Sequence, residues 1–421
     1  MNAAHPDAQA SDHNFISDFT RVFLASLAIY FCSYIMLNIF SFDWGHHDRH
    51  RYWLLGLLTL VSILIGLVVR PLVGRLSDLH GGKELMLGGA VLLLLDMLIF
   101  HWAHGVPALF IARTLLCVGG AMFGTAASAL IALIVPARWR GMLIGLYFGV
   151  TYAAIAIFFC LWDSEHLRHY ENAFSLVLSQ LDMPAAVKLL LAIIGLPLLV
   201  SAAAAGMAIN EIARVGDRRA AARAPATGLQ EFMPVAAVFP ALVAGISTFA
   251  YSSIFDFLPS YSWEYELGDF RLFFAVLAVT LAFTCGLLGW LSDRIGRGLV
   301  VAPGLLLSAA AVALLALWPS RGVLLSAAAI GGVGIASVLP VLMAMTADRV
   351  LPAQRGAAMG VFTFLISLGS LVGAILWPHV WANDAYGFRS MYLLSALACV
   401  IAFSVLALGG GLGKTMKNET P

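Results

Sequence analysis

Twelve apolar runs of about twenty residues limit this chain more than any other feature of its sequence. They lie at Val22–Phe42, Tyr52–Val73, Leu85–Ala103, Ala108–Val135, Met142–Trp162 and Ala185–Ile209, then at Val235–Leu258, Leu272–Leu291, Leu299–Trp318, Val323–Ala347, Ala357–Trp381 and Phe388–Leu408. A bilayer core needs roughly 20 such residues as a helix. In lipid no water satisfies the backbone, so each run must be helical. Hydrophobic residues make up 61% of the chain and charged residues 11%, against about 25% charged in a soluble domain. The mean hydropathy is +0.91. Such a chain cannot cover itself with a water-compatible surface, and the expectation is an all-α membrane protein of twelve transmembrane helices in the lipid bilayer.

Basic residues orient the spans. Alternate connections carry Arg21; Arg70, Arg75 and Lys83; Arg138 and Arg140; Arg214, Arg218, Arg219 and Arg223; Arg294 and Arg297; Arg349 and Arg355; Lys414 and Lys417. The opposite connections are richer in acids, among them Asp43, Asp48, Asp163, Glu165, Asp182, Glu264 and Asp384. The positive-inside rule then places both termini in the cytoplasm of a multi-pass protein of the cytoplasmic (inner) membrane. The expected organisation is a cytoplasmic tail at 1–21, a six-helix bundle at 22–209, a cytoplasmic linker at 210–233, a second six-helix bundle at 234–408 and a tail at 409–421. Residues Met1 to Ser17 contain no lysine or arginine and lack the basic region of a secretory signal. The five cysteines, Cys32, Cys117, Cys160, Cys285 and Cys399, all fall inside apolar runs without metal-ligand spacing. They read as isolated buried thiols.

An internal repeat runs through the chain. Gly74-Arg75-Leu76-Ser77-Asp78 recurs as Gly289-Trp290-Leu291-Ser292-Asp293, an offset of 215 residues (289 − 74). At the same offset Gly81 matches Gly296, Gly119 matches Gly334, and Arg140-Gly141 with Gly145 matches Arg355-Gly356 with Gly360. The chain is a duplicated six-helix unit, and two such halves suit a rocking transporter with its site between them.

At these residues the sequence resembles the major facilitator superfamily. The family signature is Gly, three residues, Asp, Arg/Lys, one residue, Gly, then Arg/Lys. Gly289…Asp293-Arg294-Ile295-Gly296-Arg297 matches it closely. Gly74…Asp78-Leu79-His80-Gly81-Gly82-Lys83 departs, with Leu79 at the first basic position and the later charge at Lys83. The resemblance implies that each carboxylate caps a helix of the other half and latches the outward-facing state: Asp78 near Gly356, Asp293 near Gly141. Arg140 and Arg355 belong to the same latch. An arginine-led motif of the fourth helix is matched in part by Arg113, Gly119 and Gly120, with Cys117 at its first glycine position. The Gly-Pro-x-x-Gly-Gly kink of many drug–proton antiporters is missing from Gly145 to Ile157. The stretch Val69-Arg70-Pro71-Leu72-Val73-Gly74 looks similar to exporter-like bacterial branches.

Charges and polar stripes inside the spans are the candidates for a substrate or proton pathway. Arg113 stands in the fourth span, where it suits an anionic substrate group or a proton-binding acid, or a structural pairing with a neighbouring helix. Asp96, within Leu92-Leu93-Leu94-Leu95-Asp96-Met97-Leu98, suits a proton carrier or an interhelical hydrogen bond. Asp256 near the end of the seventh span is a candidate to face Arg113 across the cavity, or to be a solvated acid. Tyr30, Tyr34 and Asn38 fall at four-residue spacing on one helix face, as do Tyr147 and Thr151; substrate contact and aromatic packing both fit them. The loop His46-His47-Asp48-Arg49-His50 is a poor metal site, because adjacent residues seldom converge on one ion and the arginine opposes a cation.

No nucleotide-binding loop of the form G-x-x-x-x-G-K-[ST] occurs. The expectation is therefore a secondary transporter and not an enzyme, with no cofactor, no metal and no nucleic-acid partner. Its partners would be a small-molecule solute, the proton and the lipid bilayer, and it would act as a monomer. Efflux is the leading direction. Uptake of a nutrient or metabolite by proton symport is the alternative within transport, and a transport-fold membrane sensor the alternative outside it.

Overall fold

In the computed structural model, which describes residues 15–33, 52–102, 106–161, 233–268, 270–383 and 387–410, the regular elements are helices. The first set comprises α1 (Phe15–Ser33), α2 (Tyr52–His80), α3 (Gly82–Trp102), α4 (Val106–Ile134) and α5 (Arg140–Leu161). The second comprises α6 (Val235–Glu264), α7 (Phe270–Ile295), α8 (Arg297–Leu317), α9 (Arg321–Asp348), α10 (Arg355–Asn383) and α11 (Phe388–Leu408). Among the described residues, nine helices are long and apolar enough to cross a membrane. The expected sixth span, Ala185–Ile209, lies outside the described residues. So do the arginine-bearing part of the linker, the histidine loop, Tyr34 and Asn38.

The helices run past the apolar runs that announce them. The run Tyr52–Val73 sits inside α2, which continues to His80, and Leu272–Leu291 sits inside α7, which continues to Ile295. Asp78 and Asp293 therefore occupy last helical turns, not loops. The connections shrink to single residues, Gly81 at φ 106° and Gly296 at φ 112°. Their N–H groups donate to Ser77 O at 3.0 Å and Ser292 O at 3.2 Å. Only glycine adopts that left-handed backbone without strain, which is why it ends both helices. At the other end of the chain α1 begins at Phe15 and not at Val22, and Arg21 within it pairs with Asp18 at 3.4 Å.

The duplication is visible in the packing. In α3 and α4 the backbones meet at Gly89 and Gly119, and in α8 and α9 at Gly304 and Gly334, residues related by the 215-residue offset (304 − 89, 334 − 119). Other close approaches cross between the two sets. Gly74 of α2 lies on Gly356 and Gly360 of α10, and Gly289 of α7 lies on Gly141 of α5, with Gly145 against Cys285. Without a hydrophobic drive between helices in lipid, small residues that allow backbone contact supply the dispersion energy of association. Many polar side chains are satisfied locally or across helices: Ser247 donates to Val243 O at 2.8 Å, Tyr261 to Leu315 O at 2.6 Å, and Trp377 Nε1 to Phe249 O at 3.1 Å. These bonds replace the water that the bilayer does not provide.

Candidate functional site

Where α2 meets α10, Asp78 reaches across to the second set. Its Oδ1 accepts the Gly356 N–H at 2.7 Å and its Oδ2 the Ala357 N–H at 2.8 Å. These are first-turn donors with no partner inside their own helix, at the positive end of its dipole. Asp293 repeats the arrangement on α5, accepting the N–H groups of Gly141 at 2.9 Å and Met142 at 3.0 Å. Glycine is required at both caps. A Cβ on Gly356 would stand 2.6 Å from Asp78 Oδ1, and one on Gly141 2.8 Å from Asp293 Oδ1.

The two caps differ in their charged surroundings. Arg297 pairs with Asp293 at 2.6 Å, donates from Nε to Asp348 Oδ2 at 3.0 Å, and donates to Ser292 Oγ at 2.7 Å. Arg140 of the first set holds the other oxygen of Asp348. The cluster thus ties α5 to α7, α8 and α9. By the offset, Arg297 corresponds to Gly82 and Asp348 to Leu133, so Asp78 has no equivalent cluster. A cationic neighbour of Asp78 is Arg75 on its own helix. Arg294 is exposed and its guanidinium lies over the Trp290 ring at 4.0 Å. Half-buried Arg355 opens α10.

Deeper in the first set, the buried hydroxyls of Tyr30 and Tyr147 share a hydrogen bond at 2.9 Å. Thr151 approaches the Tyr30 hydroxyl, and the Tyr30 ring stands edge-on to Phe123 at 6.2 Å. Thr125 of α4 and Thr363 of α10 share a buried hydrogen bond at 3.0 Å, a second polar link between the sets. Arg113 is buried in α4 and Asp96 in α3, each within electrostatic reach of the other. The helices run antiparallel from their Gly89–Gly119 contact, and about two turns along each brings Asp96 opposite Arg113. Asp256, in contrast, is exposed on α6. Asp96 is an acid within electrostatic reach of Arg113, and the exposure of Asp256 fits the second of its two expected readings, a solvated acid.

Four residues of this network carry no role in the sequence reading. Asp348 has no repeat partner to reveal it; its signal is that of a lone acid beside a basic connection. Thr125 and Thr363 look like ordinary small residues of apolar helices. Arg70 counts there among the charges of a connection, although it falls inside the run Tyr52–Val73.

Comparison with known proteins agrees with this architecture. The Major Facilitator Superfamily sequence profile matches residues 22–298 and again 241–415. An uncharacterized MFS-type transporter of Salmonella typhimurium strain LT2, STM4428, is 26% identical over 377 residues, covering 84% of this chain and 87% of that protein. The multidrug transporter AQR1 of Candida glabrata is 26% identical over 125 residues, 30% of this chain and 20% of that protein. Among solved structures, the human organic anion transporter MFSD10 (TETRAN) superposes with a TM-score of 0.71 at 15% identity, covering 93% of this chain and 99% of that one. FucP in its outward conformation gives a TM-score of 0.69 at 15% identity, with 94% and 98% covered. The structural likenesses carry the fold: twelve helices in two pseudo-symmetric six-helix bundles. On the profile match and the duplicated architecture together, this chain belongs to the Major Facilitator Superfamily, as a multi-pass membrane transporter that moves small-molecule solutes by alternating access.

Proposed function

We propose that this transporter exports a small organic molecule across the cytoplasmic (inner) membrane in exchange for protons, as a monomer with both termini in the cytoplasm. The bundles at 22–209 and 234–408 rock about a central site, with the linker at 210–233 between them. Asp78 and Asp293 latch one face. That face also carries Arg75, Lys83, Arg138, Arg294, Arg349 and Arg355, which supports its assignment to the cytoplasm by the positive-inside rule. The observation that carries the coupling is the buried Asp96 facing Arg113. A carboxyl inside a bilayer is costly to keep charged, so exchange of a proton against an arginine is a use that justifies it. The lean towards efflux rests on the exporter-like stretch Val69–Gly74 and on the partial match to a protein named a multidrug transporter.

Untargeted metabolite profiling of cells and spent medium tests the reading, comparing a deletion strain with wild-type and Asp78→Asn complements. A compound that accumulates inside the deletion strain, and is released again only with the wild-type gene, supports export. A compound left in the medium of the deletion strain overturns the direction and makes the protein an importer.

A further inference from the structure

Two arginines stand within the spans of the first bundle, Arg113 buried and Arg70 half-buried, and they differ in what they face. Arg113 has Asp96. Arg70 lies within electrostatic reach of Tyr30 and Cys117, and among the described residues no carboxylate pairs with it. Its Nε is buried without a hydrogen-bond partner. The parts of the bundle outside the described residues offer no remedy from within the membrane, since the runs Val22–Phe42 and Ala185–Ile209 contain no Asp or Glu.

Helix geometry fixes where this guanidinium looks. The exposed ridge of α2 is Leu64, Val68, Leu72, Leu76 and Leu79, the row that meets lipid. Arg70 is two residues from both Val68 and Leu72, about 200° around the helix from the one and 160° from the other. It therefore falls in the inner row with Leu67, Val73 and Ser77, which are buried, and cannot snorkel along the lipid face. Its backbone carbonyl lies against Gly360 of α10, on the seam between the bundles. Arg70 thus stands on the inner side of α2, within electrostatic reach of the Tyr30 hydroxyl.

We infer that Arg70, with Tyr30 beside it, forms an anion-binding subsite between the bundles, so that the transported solute carries a carboxylate, phosphate or sulfonate group. A planar guanidinium matches such a group with paired hydrogen bonds. Its half-buried charge, paired with no carboxylate among the described residues, is stabilised when the anion arrives. Because Arg70 sits where α2 touches α10, neutralising it changes the charge on the seam that opens and closes. The inference rests on the reading of a small organic solute at a central site, and it does not depend on the direction of transport.

The test is thermal unfolding of the purified full-length protein in a non-ionic detergent. The probes are benzoate, benzylphosphonate and benzenesulfonate, with benzyl alcohol and benzylamine as neutral and cationic counterparts. At least one anion is expected to raise Tm in a concentration-dependent way, and the identity of the effective anion separates a carboxylate from a phosphate or sulfonate preference. Neither counterpart should do so. Arg70→Gln is expected to weaken the apparent affinity by about tenfold or more, with its own Tm unchanged or raised because a half-buried charge paired with no carboxylate among the described residues has gone. Arg70→Lys, which keeps the charge without the planar fork, should retain part of the effect. The inference is overturned if Arg70→Gln responds as wild type does, or if no anion shifts Tm. It is also overturned if the neutral or cationic counterparts act in place of the anions, or if Arg70→Gln lowers Tm as a structural residue would. An importer phenotype in the profiling experiment with the anion response intact would sink the direction alone.

Discussion

Asp348 accepts a hydrogen bond from Arg297 Nε at 3.0 Å on one carboxylate oxygen and holds Arg140 on the other. Arg297 belongs to the same bundle as Asp348, and Arg140 to the other. One acid thus stabilises the residue that supports Asp293 and, separately, bridges the two bundles. The repeat does not reproduce this support at Asp78, because the offset places Leu133 where Asp348 would be. Two caps of the same backbone geometry are set in different electrostatic surroundings.

Asp348→Asn is expected to release the latched face. It takes the acid from Arg140 and leaves Arg297 with Asp293 alone, and losing part of such a buried network costs about 2 kcal/mol or more. Each 1.4 kcal/mol is a factor of about ten, so the closed-to-open ratio should fall by about 30-fold. Spin labels on Ala137→Cys and Leu351→Cys, exposed positions at the ends of α4 and α9, would report this as a new long-distance population in pulsed electron resonance. An unchanged distance distribution would show that the bridge does not hold the face closed.

The asymmetry also predicts a pattern of coupling. Asp78→Asn and Asp293→Asn each remove a charged helix cap, with an effect of about 0.3 to 2 kcal/mol. Asp293 shares Arg297 with Asp348, so the double variant Asp293→Asn/Asp348→Asn should cost less than the two single changes together. Asp78 has no partner in common with Asp348, so Asp78→Asn/Asp348→Asn should be additive within about 0.5 kcal/mol. Closed-face populations from the same labels measure both cycles. Equal coupling in the two pairs would mean that the caps are not independent.

Much of this arrangement was legible before the structure. The apolar runs announce the helices because hydrocarbon leaves the backbone no other choice, and the 215-residue repeat anticipates the paired contacts of Gly74 and Gly289. The family signature pointed to Gly356 and Gly141, and their N–H groups are among those the two carboxylates meet. What the sequence could not show depends on rotation about helix axes and on contacts between distant segments. Asp348 lacks a repeat partner, Arg70 stands close enough to the end of its run to pass for a loop charge, and Asp256 competes on paper with Asp96 for Arg113. The Gly89–Gly119 contact, which sets α3 against α4, is what brings Asp96 near Arg113. The lengths of α2 and α7 were hidden for another reason: hydropathy marks where lipid ends, not where the helix does.

Glycines of the fourth-helix motif are expected to differ in their tolerance of alanine. A Cβ on Gly119 would stand 3.0 Å from Gly89 O and 3.1 Å from Leu92 Cβ, whereas Gly120 has nothing within 4 Å. Gly119→Ala should therefore force α3 and α4 apart and lower stability by about 1 to 3 kcal/mol. Gly120→Ala should unfold as wild type does, or slightly later. Thermal unfolding in detergent compares them. Equal Tm values would mean that the close approach of α3 and α4 contributes little to the fold.

Asp96 and Arg113 allow a structural pairing and a proton-handling pair to be told apart. Removing either partner alone leaves a buried charge without its counterpart, so Asp96→Asn and Arg113→Ala should each destabilise the protein, by about 3 to 5 kcal/mol in the limit of full burial. Replacing both, as Asp96→Asn/Arg113→Met, removes the unpaired charge and should recover most of that loss. If the pair serves only to join α3 to α4, the double variant should recover transport along with stability. If the carboxyl exchanges the coupling proton, the double variant should be stable and fail to transport against a gradient, and any residual transport by Asp96→Asn should no longer vary with pH. Arg113→Ala should likewise abolish transport when activity is normalised to the folded protein present. Proteoliposomes loaded with the solute identified by profiling, assayed across a range of external pH with and without a proton gradient, supply the measurement. A wild-type pH profile in Asp96→Asn would remove this acid from the coupling pathway and leave it as a bond between two helices.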